Sequence, residues 1–89
     1  MAVTARLRRR IERDFPDSVD EVERLLDTAE CGSQDTERIQ AAIVLAANGN
    51  FIRLRYGVEQ SKHDWRDALV AGGLADDDWP SVLNANPPP

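Results

Sequence analysis

Apolar side chains recur at helical spacing through most of the chain. The first stripe has a spacing of four residues and consists of Val3, Leu7, Ile11 and Phe15. Arginines occupy the positions between these residues, so the first helix is basic and amphipathic. Pro16 ends it, because the residue before a proline disfavours helical geometry. We therefore predict a first helix over about residues 4–14.

The second stripe follows directly, with spacings of three and four residues. It consists of Val19, Val22, Leu25, Leu26 and Ala29. Ser18 and Glu21 have the spacing of a capping box, and Gly32 is suited to a left-handed C-terminal cap. This pattern predicts a second helix over about residues 19–31.

The segment 38–50 is the most apolar part of the chain, and residues 41–47 contain no polar side chain. A helix that is apolar on every side belongs in a protein interior. We predict a central helix over about residues 36–48, capped by Ser33 or Asp35 and closed by Gly49. Its main packing stripe is expected to be Ile39, Ala42, Ile43 and Ala46.

Residues 52–58 fit two periodicities. Apolar and other residues alternate strictly, as in a strand. Helical spacing fits as well, with Phe51, Leu54 and Val58 on one stripe and Ile52 and Tyr56 on another. The chain offers no second strand for pairing, so we predict a helix over about residues 51–61, capped by Asn50. A strand pair across a dimer is the alternative.

The C-terminal third predicts shorter elements. Asp64 caps a fifth helix that ends at Gly72-Gly73, and one of the aspartates 76–78 caps a last turn. Residues 84–89 are expected to form a disordered, proline-rich tail. The predicted fold is all-α: residues 1–83 form one small orthogonal bundle of five or six short helices around the central helix.

Charge adds a feature that hydropathy does not show. The chain of 89 residues has a net charge of −5, yet its first fifteen residues carry five arginines against two acidic residues. These arginines are Arg6, Arg8, Arg9, Arg10 and Arg13. A basic cluster is typical of nucleic-acid binders, whereas an acidic chain is not. Pairing with acidic residues of the second helix (Asp20, Glu21, Glu23 and Asp27), within the chain or across a dimer, is therefore the favoured interpretation.

Chemistry-bearing residues are few. The single cysteine, Cys31, allows neither an internal disulfide nor a thiolate cluster, and the single histidine, His63, has no partner for a zinc site. Asp64 and Asp67 fall where helix capping explains them, and the aspartates 76–78 lack the spacing of a calcium loop. We expect no enzymatic activity, no cofactor and no metal.

Location and the two tryptophans complete the sequence picture. The longest apolar run is seven residues, too short for a membrane span, and no secretion signal is evident, so a cytoplasmic location is expected. Trp65 and Trp79 each follow an aspartate. Tryptophan is frequent in binding hot spots, but in a chain with few large side chains it is more often part of the core.

Residues 37–83 resemble a group of short bacterial helical proteins with no assigned activity. The shared order is an R-[IV]-Q-A-A helix, a corner of small residues, a basic-apolar helix, a DWRD segment and a DWP segment. In this chain the R-[IV]-Q-A-A motif begins at Arg38, the DWRD segment at Asp64 and the DWP segment at Asp78. The resemblance implies a bacterial, all-helical protein and no catalytic motif.

These observations predict a non-enzymatic interaction protein that presents a helical surface to a protein partner, with a homodimer as one form of that association. The expected surface consists of the five arginines together with Trp65 and Trp79. The alternative is a nucleic-acid-binding or regulatory protein that uses the arginine-rich helix.

Overall fold

The chain folds into a small all-α bundle, seen in a computed structural model that describes residues 3–29, 35–76 and 78–81. In chain order the helices are α1 (Ala5–Asp14), α2 (Val19–Asp27), α3 (Thr36–Ala47), α4 (Phe51–His63) and α5 (Trp65–Gly72). Residues 79–81 are helical as well. The all-α prediction is confirmed. The strand alternative for residues 52–58 is wrong, because these residues lie inside α4.

Helix α3 is the hub of the bundle and packs against α1, α4 and α5, while α2 packs against α1 and α4. Its buried residues point in several directions and are Ile39, Gln40, Ala41, Ala42, Ile43, Val44 and Ala47. The predicted packing stripe is wrong at Ala46, which is exposed. The reason is that Ala46 opens onto a surface groove rather than onto a neighbouring helix.

Helices α5 and α3 approach each other closely at Gly72. A Cβ atom on this residue would lie 2.5 Å from the Cα of Ala42 and 2.7 Å from its carbonyl carbon, so no side chain fits. Gly73, with φ of 76°, is the left-handed C-cap of α5. Of the two glycines predicted to end the helix, Gly72 therefore allows α5 to pack closely on α3, and Gly73 caps α5.

Caps account for most of the helix boundaries. Asp35, Asn50 and Asp64 each accept a hydrogen bond from a backbone N–H in the first turn of the helix that follows, as predicted. At the end of α3 the left-handed residue is Asn48, with φ of 49°, rather than Gly49 alone.

The second helix differs from its prediction at both ends. The side chain of Ser18 makes no cap hydrogen bond, so the hydrogen bond that Ser18 would contribute to the expected capping box is absent. The helix ends at Asp27, before residue 31, because Thr28 turns back on it: its N–H and its hydroxyl both donate to the carbonyl of Leu25. The predictions for Cys31, Gly32, Ser33 and the tail 84–89 lie outside the described residues.

Candidate interaction surface

Arg6 of α1 binds Glu37 of α3. Its Nε donates to Oε2 at 2.7 Å and its Nη2 donates to Oε1 at 2.6 Å, and the hydroxyl of Thr4 donates to the same carboxylate. The Arg6 guanidinium also lies 5.8 Å from the centroid of the Trp79 ring, within cation–π distance. One arginine therefore connects α1, the hub helix and the helical turn at 79–81.

This contact shifts both ionisation equilibria toward the charged forms. The hydrogen bonds from Arg6, assisted by Thr4, lower the pKa of Glu37 below its ordinary value although partial burial opposes that change. The same bonds raise the pKa of Arg6. Sequence reasoning missed this pair, because 31 positions separate the two residues and only the packing of α1 on α3 brings them together.

Three further arginines of the basic cluster are ion-paired. Arg8 binds Glu23 of α2, as the charge pattern predicted, and lies 3.4 Å from Glu12. Arg10 binds Asp14 at 2.7 Å, and both side chains are at least nine-tenths buried. The side chain of Arg13 lies 3.7 Å from the other oxygen of Asp14. The partners thus lie within α1 and on α3 as well as on α2.

Arg9 is the exception in the cluster. It is exposed, and it takes part in no ion pair with the part of the chain that the structure describes. The arginine-rich helix therefore presents much less unpaired positive charge to solvent than its sequence indicates.

The two tryptophans are half-buried and pack against the hydrophobic core. Arg66 lies 5.7 Å from the centroid of the Trp65 ring, and Arg6 covers Trp79 in the same way. Each ring thus packs against the core and has an arginine within cation–π distance, which reduces the aromatic surface that is open to a partner.

His63, Asp64 and Asp67 lie at helix ends. His63 is the exposed last residue of α4. Asp64 caps α5, and Asp67 accepts a hydrogen bond from Gln60 at 3.3 Å. Among residues 3–29, 35–76 and 78–81, no three acidic, histidine or cysteine side chains are placed to hold a metal ion. None of the helices in those ranges is both long enough and apolar enough to cross a bilayer.

The outward face of α4 carries two large apolar side chains. Ile52 is 78% exposed and Tyr56 is 70% exposed, and a spacing of four places them one turn apart on the same line. The opposite face of this helix is in the core, where Leu54, Val58 and Ser61 are buried. We call Ile52 and Tyr56 the α4 ridge. Its signal in the sequence was the second apolar stripe within residues 51–58.

A groove runs along one side of the ridge, between α4 and α5. It has a volume of about 320 Å³ and is lined by Ile43, Ala46, Arg53, Tyr56, Gly57, Gln60, Asp67, Ala68 and Ala71. Gly57 contributes no side chain to the floor of the groove. A Cβ atom at this position would lie 3.1 Å from Ile43 Cγ2. We call this the α4–α5 groove.

A second, wider depression lies on the other side of the ridge, between α2 and α4. It has a volume of about 470 Å³ and is lined by Glu21, Arg24, Leu25, Thr28, Phe51 and Arg55. We call it the α2–α4 groove. Arg53 in the first groove and Arg24 and Arg55 in the second are exposed, and none has an ion-pair partner among the described residues.

The chain was compared with protein-family models, with curated protein sequences and with solved structures, and none of the three comparisons gives a match. The surface chemistry of the molecule is therefore the basis for a functional proposal.

Proposed function

We propose that this protein is a non-enzymatic interaction domain that binds a protein partner through the α4 ridge. The observation that carries the proposal is the exposure of Ile52 and Tyr56 on one line of a helix whose other face is in the core. Exposed isoleucine and tyrosine side chains next to each other lower the solubility of a protein. Tyrosine is also enriched at protein–protein interfaces. A ridge between two grooves also suits the packing of a partner helix.

The proposed surface differs from the one that the sequence favoured. Four of the five α1 arginines are held by carboxylates, and both tryptophans pack against the core, so these side chains have less to offer a partner. The same ion pairs weigh against nucleic-acid binding through α1, because each neutralised arginine is one fewer phosphate contact.

The experiment is site-specific photo-crosslinking in cells that express the chain. We place p-benzoylphenylalanine at position 52, at position 56 or at position 70. Val70 is the matched control, because it is 69% exposed and apolar but lies on α5 and lines neither groove. We expect a discrete protein adduct from positions 52 and 56, absent from position 70.

A second variant shows whether the adduct depends on the ridge. Tyr56→Ser should remove the adduct formed from position 52 without changing the thermal stability of the domain, since Tyr56 is outside the core. Adducts formed equally from all three positions, or from position 70 alone, would refute the proposal.

A further inference from the structure

We infer that the segment docking on the α4 ridge is an acidic amphipathic helix of a different protein. This inference rests on the proposed function and adds the chemistry of the partner. Apolar side chains on one face of the partner helix would cover Ile52 and Tyr56. Carboxylates on the two edges of that face would reach the arginines on either side of the ridge.

The positions of the arginines carry the inference. At about 100° per residue, Arg53 and Arg55 lie on opposite sides of the line through Ile52 and Tyr56. The grooves confirm this arrangement, because Arg53 lines the α4–α5 groove and Arg55 lines the α2–α4 groove. Arg24, which also has no ion-pair partner among residues 3–29, 35–76 and 78–81, adds a third guanidinium on the Arg55 side. Guanidinium groups bind carboxylates with well-defined geometry, so this layout selects a partner with acidic edges.

The acidic side chains near the ridge cancel this charge only in part. Glu59 is paired with Lys62 at 3.0 Å. Asp67 keeps its negative charge in the groove that Arg53 also lines, because its hydrogen bond at 3.3 Å comes from the neutral amide of Gln60. Glu21 lies in the α2–α4 groove with two arginines. Helix α4 as a whole has Arg53, Arg55 and Lys62 against one glutamate, in a chain with a net charge of −5. It is therefore a basic face on an acidic protein.

A small, apolar groove floor explains why the partner is expected to be helical. Ala46, Gly57, Ala68 and Ala71 leave room beside the ridge without large side chains. Helices pack by placing the ridge of one surface into the groove of another, and small residues allow the axes to approach closely. An amphipathic helix offers such a ridge with its charges alongside.

A second copy of this chain is a poorer match. Two α4 ridges meeting across a two-fold axis would bring Arg53 and Arg55 near the same arginines of the other copy, and like charges across an interface are unfavourable. The acidic helix α2 cannot serve as the docking segment without unfolding, because its apolar residues Val22 and Leu26 are in the core. A different protein with an acidic helix avoids both problems.

The test uses three labelled peptides of about 18 residues, long enough for measurable helicity. All three share their leucine content; the first has glutamates flanking a leucine stripe, the second has lysines there, and the third is a scrambled version of the first. Fluorescence anisotropy with the full chain measures binding. We expect the acidic peptide to bind at least about tenfold more tightly than either of the other two.

Charge-reversal variants locate the binding site. Arg53→Glu and Arg55→Glu should each weaken binding of the acidic peptide by about threefold to tenfold. Arg9→Glu is the matched control: it makes the same change in net charge at an exposed arginine on α1 and should have no effect beyond twofold or so. An equal loss for all three variants would mean that only the overall charge matters and would overturn the inference.

Two further outcomes also overturn it. One is equal affinity for the acidic and basic peptides. The other is sedimentation of the chain alone as a dimer that Ile52→Ser converts to a monomer, which would make a second copy the occupant. If position-specific crosslinks from 52 and 56 persist while the peptides fail to discriminate, the interaction function stands and the partner chemistry is wrong. If the crosslinks are absent as well, both fail.

Discussion

Helices α1 and α4 both carry arginines, but they use them in opposite ways. In α1, four of five arginines bind carboxylates that belong to α1, α2 or α3. In α4, neither arginine has an ion-pair partner in the described part of the chain, and both flank exposed apolar side chains. The helix with more arginines is therefore the structural one, and the helix with fewer is the candidate surface.

The difference shows that charge density along a sequence is a weak guide to a binding surface. An arginine that is paired with a carboxylate has already exchanged part of its hydration for that partner. An exposed arginine beside an exposed isoleucine or tyrosine is still available to bind a carboxylate of a partner protein. Substitutions in the two helices are expected to differ in their effects accordingly.

The buried pair in α1 should show the largest effect on stability. Arg10→Ala leaves the carboxylate of Asp14 in a largely buried position, with Arg13 at 3.7 Å as its remaining ion-pair partner in the described part of the chain. We expect a loss of about 3 kcal/mol of unfolding free energy in urea titration. The double variant R10M/D14L should recover most of this loss, because it buries no charge. A loss below about 0.5 kcal/mol for Arg10→Ala would show that the pair is not structural.

The contact between Arg6 and Glu37 should have a smaller, pH-dependent effect. We expect Glu37→Gln to cost about 1–2 kcal/mol at neutral pH, since it removes charge-assisted hydrogen bonds from a partly exposed site. The measurement is thermal unfolding followed by circular dichroism.

The pH dependence follows from the lowered pKa of Glu37. Its contribution is complete above the ordinary carboxyl pKa, 4.5, and is lost as the pH falls through the lower pKa of the folded protein. The difference between the native chain and Glu37→Gln should therefore shrink below about pH 4.5 and stay constant through neutral and mildly alkaline pH, where Arg6 remains charged. A difference that is constant down to pH 3 or so would contradict the assignment.

The α4 ridge should be nearly neutral for stability. Ile52→Ser and Tyr56→Ser are each expected to change the unfolding free energy by less than about 0.5 kcal/mol, because both side chains are in solvent. Leu54→Ala on the inner face of the same helix is the contrast and should cost about 3 kcal/mol. A large loss for the ridge variants would place these residues in the core and remove the basis of the proposal.

Nucleic-acid binding through α1 should give the smallest effect. We expect that the chain does not raise the anisotropy of labelled duplex DNA at about 50 mM salt, because four of the five arginines of α1 are already paired. The variant R9Q/R13Q should behave like the native chain. Binding that weakens in this variant would restore α1 as the functional surface.

The sequence was sufficient for the parts of the fold that depend on local patterns. The apolar run at 41–47 predicted the hub, and Asp35, Asn50 and Asp64 were recognised as caps, because capping depends on a few adjacent residues. The candidate site was harder. Two apolar stripes were visible on α4, but only the packing of this helix against α2, α3 and α5 determines which stripe faces solvent. The same holds for Arg6 and Glu37, which belong to different helices.

The tight approach of Gly72 to Ala42 has a consequence for the shape of the α4–α5 groove. Backbone packed against backbone leaves no side chain to repack, so the α5 wall is held in place by the hub helix. The α4 wall is set by Gly57, whose missing side chain faces Ile43 at 3.1 Å from the Cβ position. One wall of the groove is thus fixed by backbone packing, and the position of the other wall depends on the absence of a methyl group at residue 57. Gly57→Ala adds a single carbon atom and should change the width of the groove, and with it which partner the groove binds.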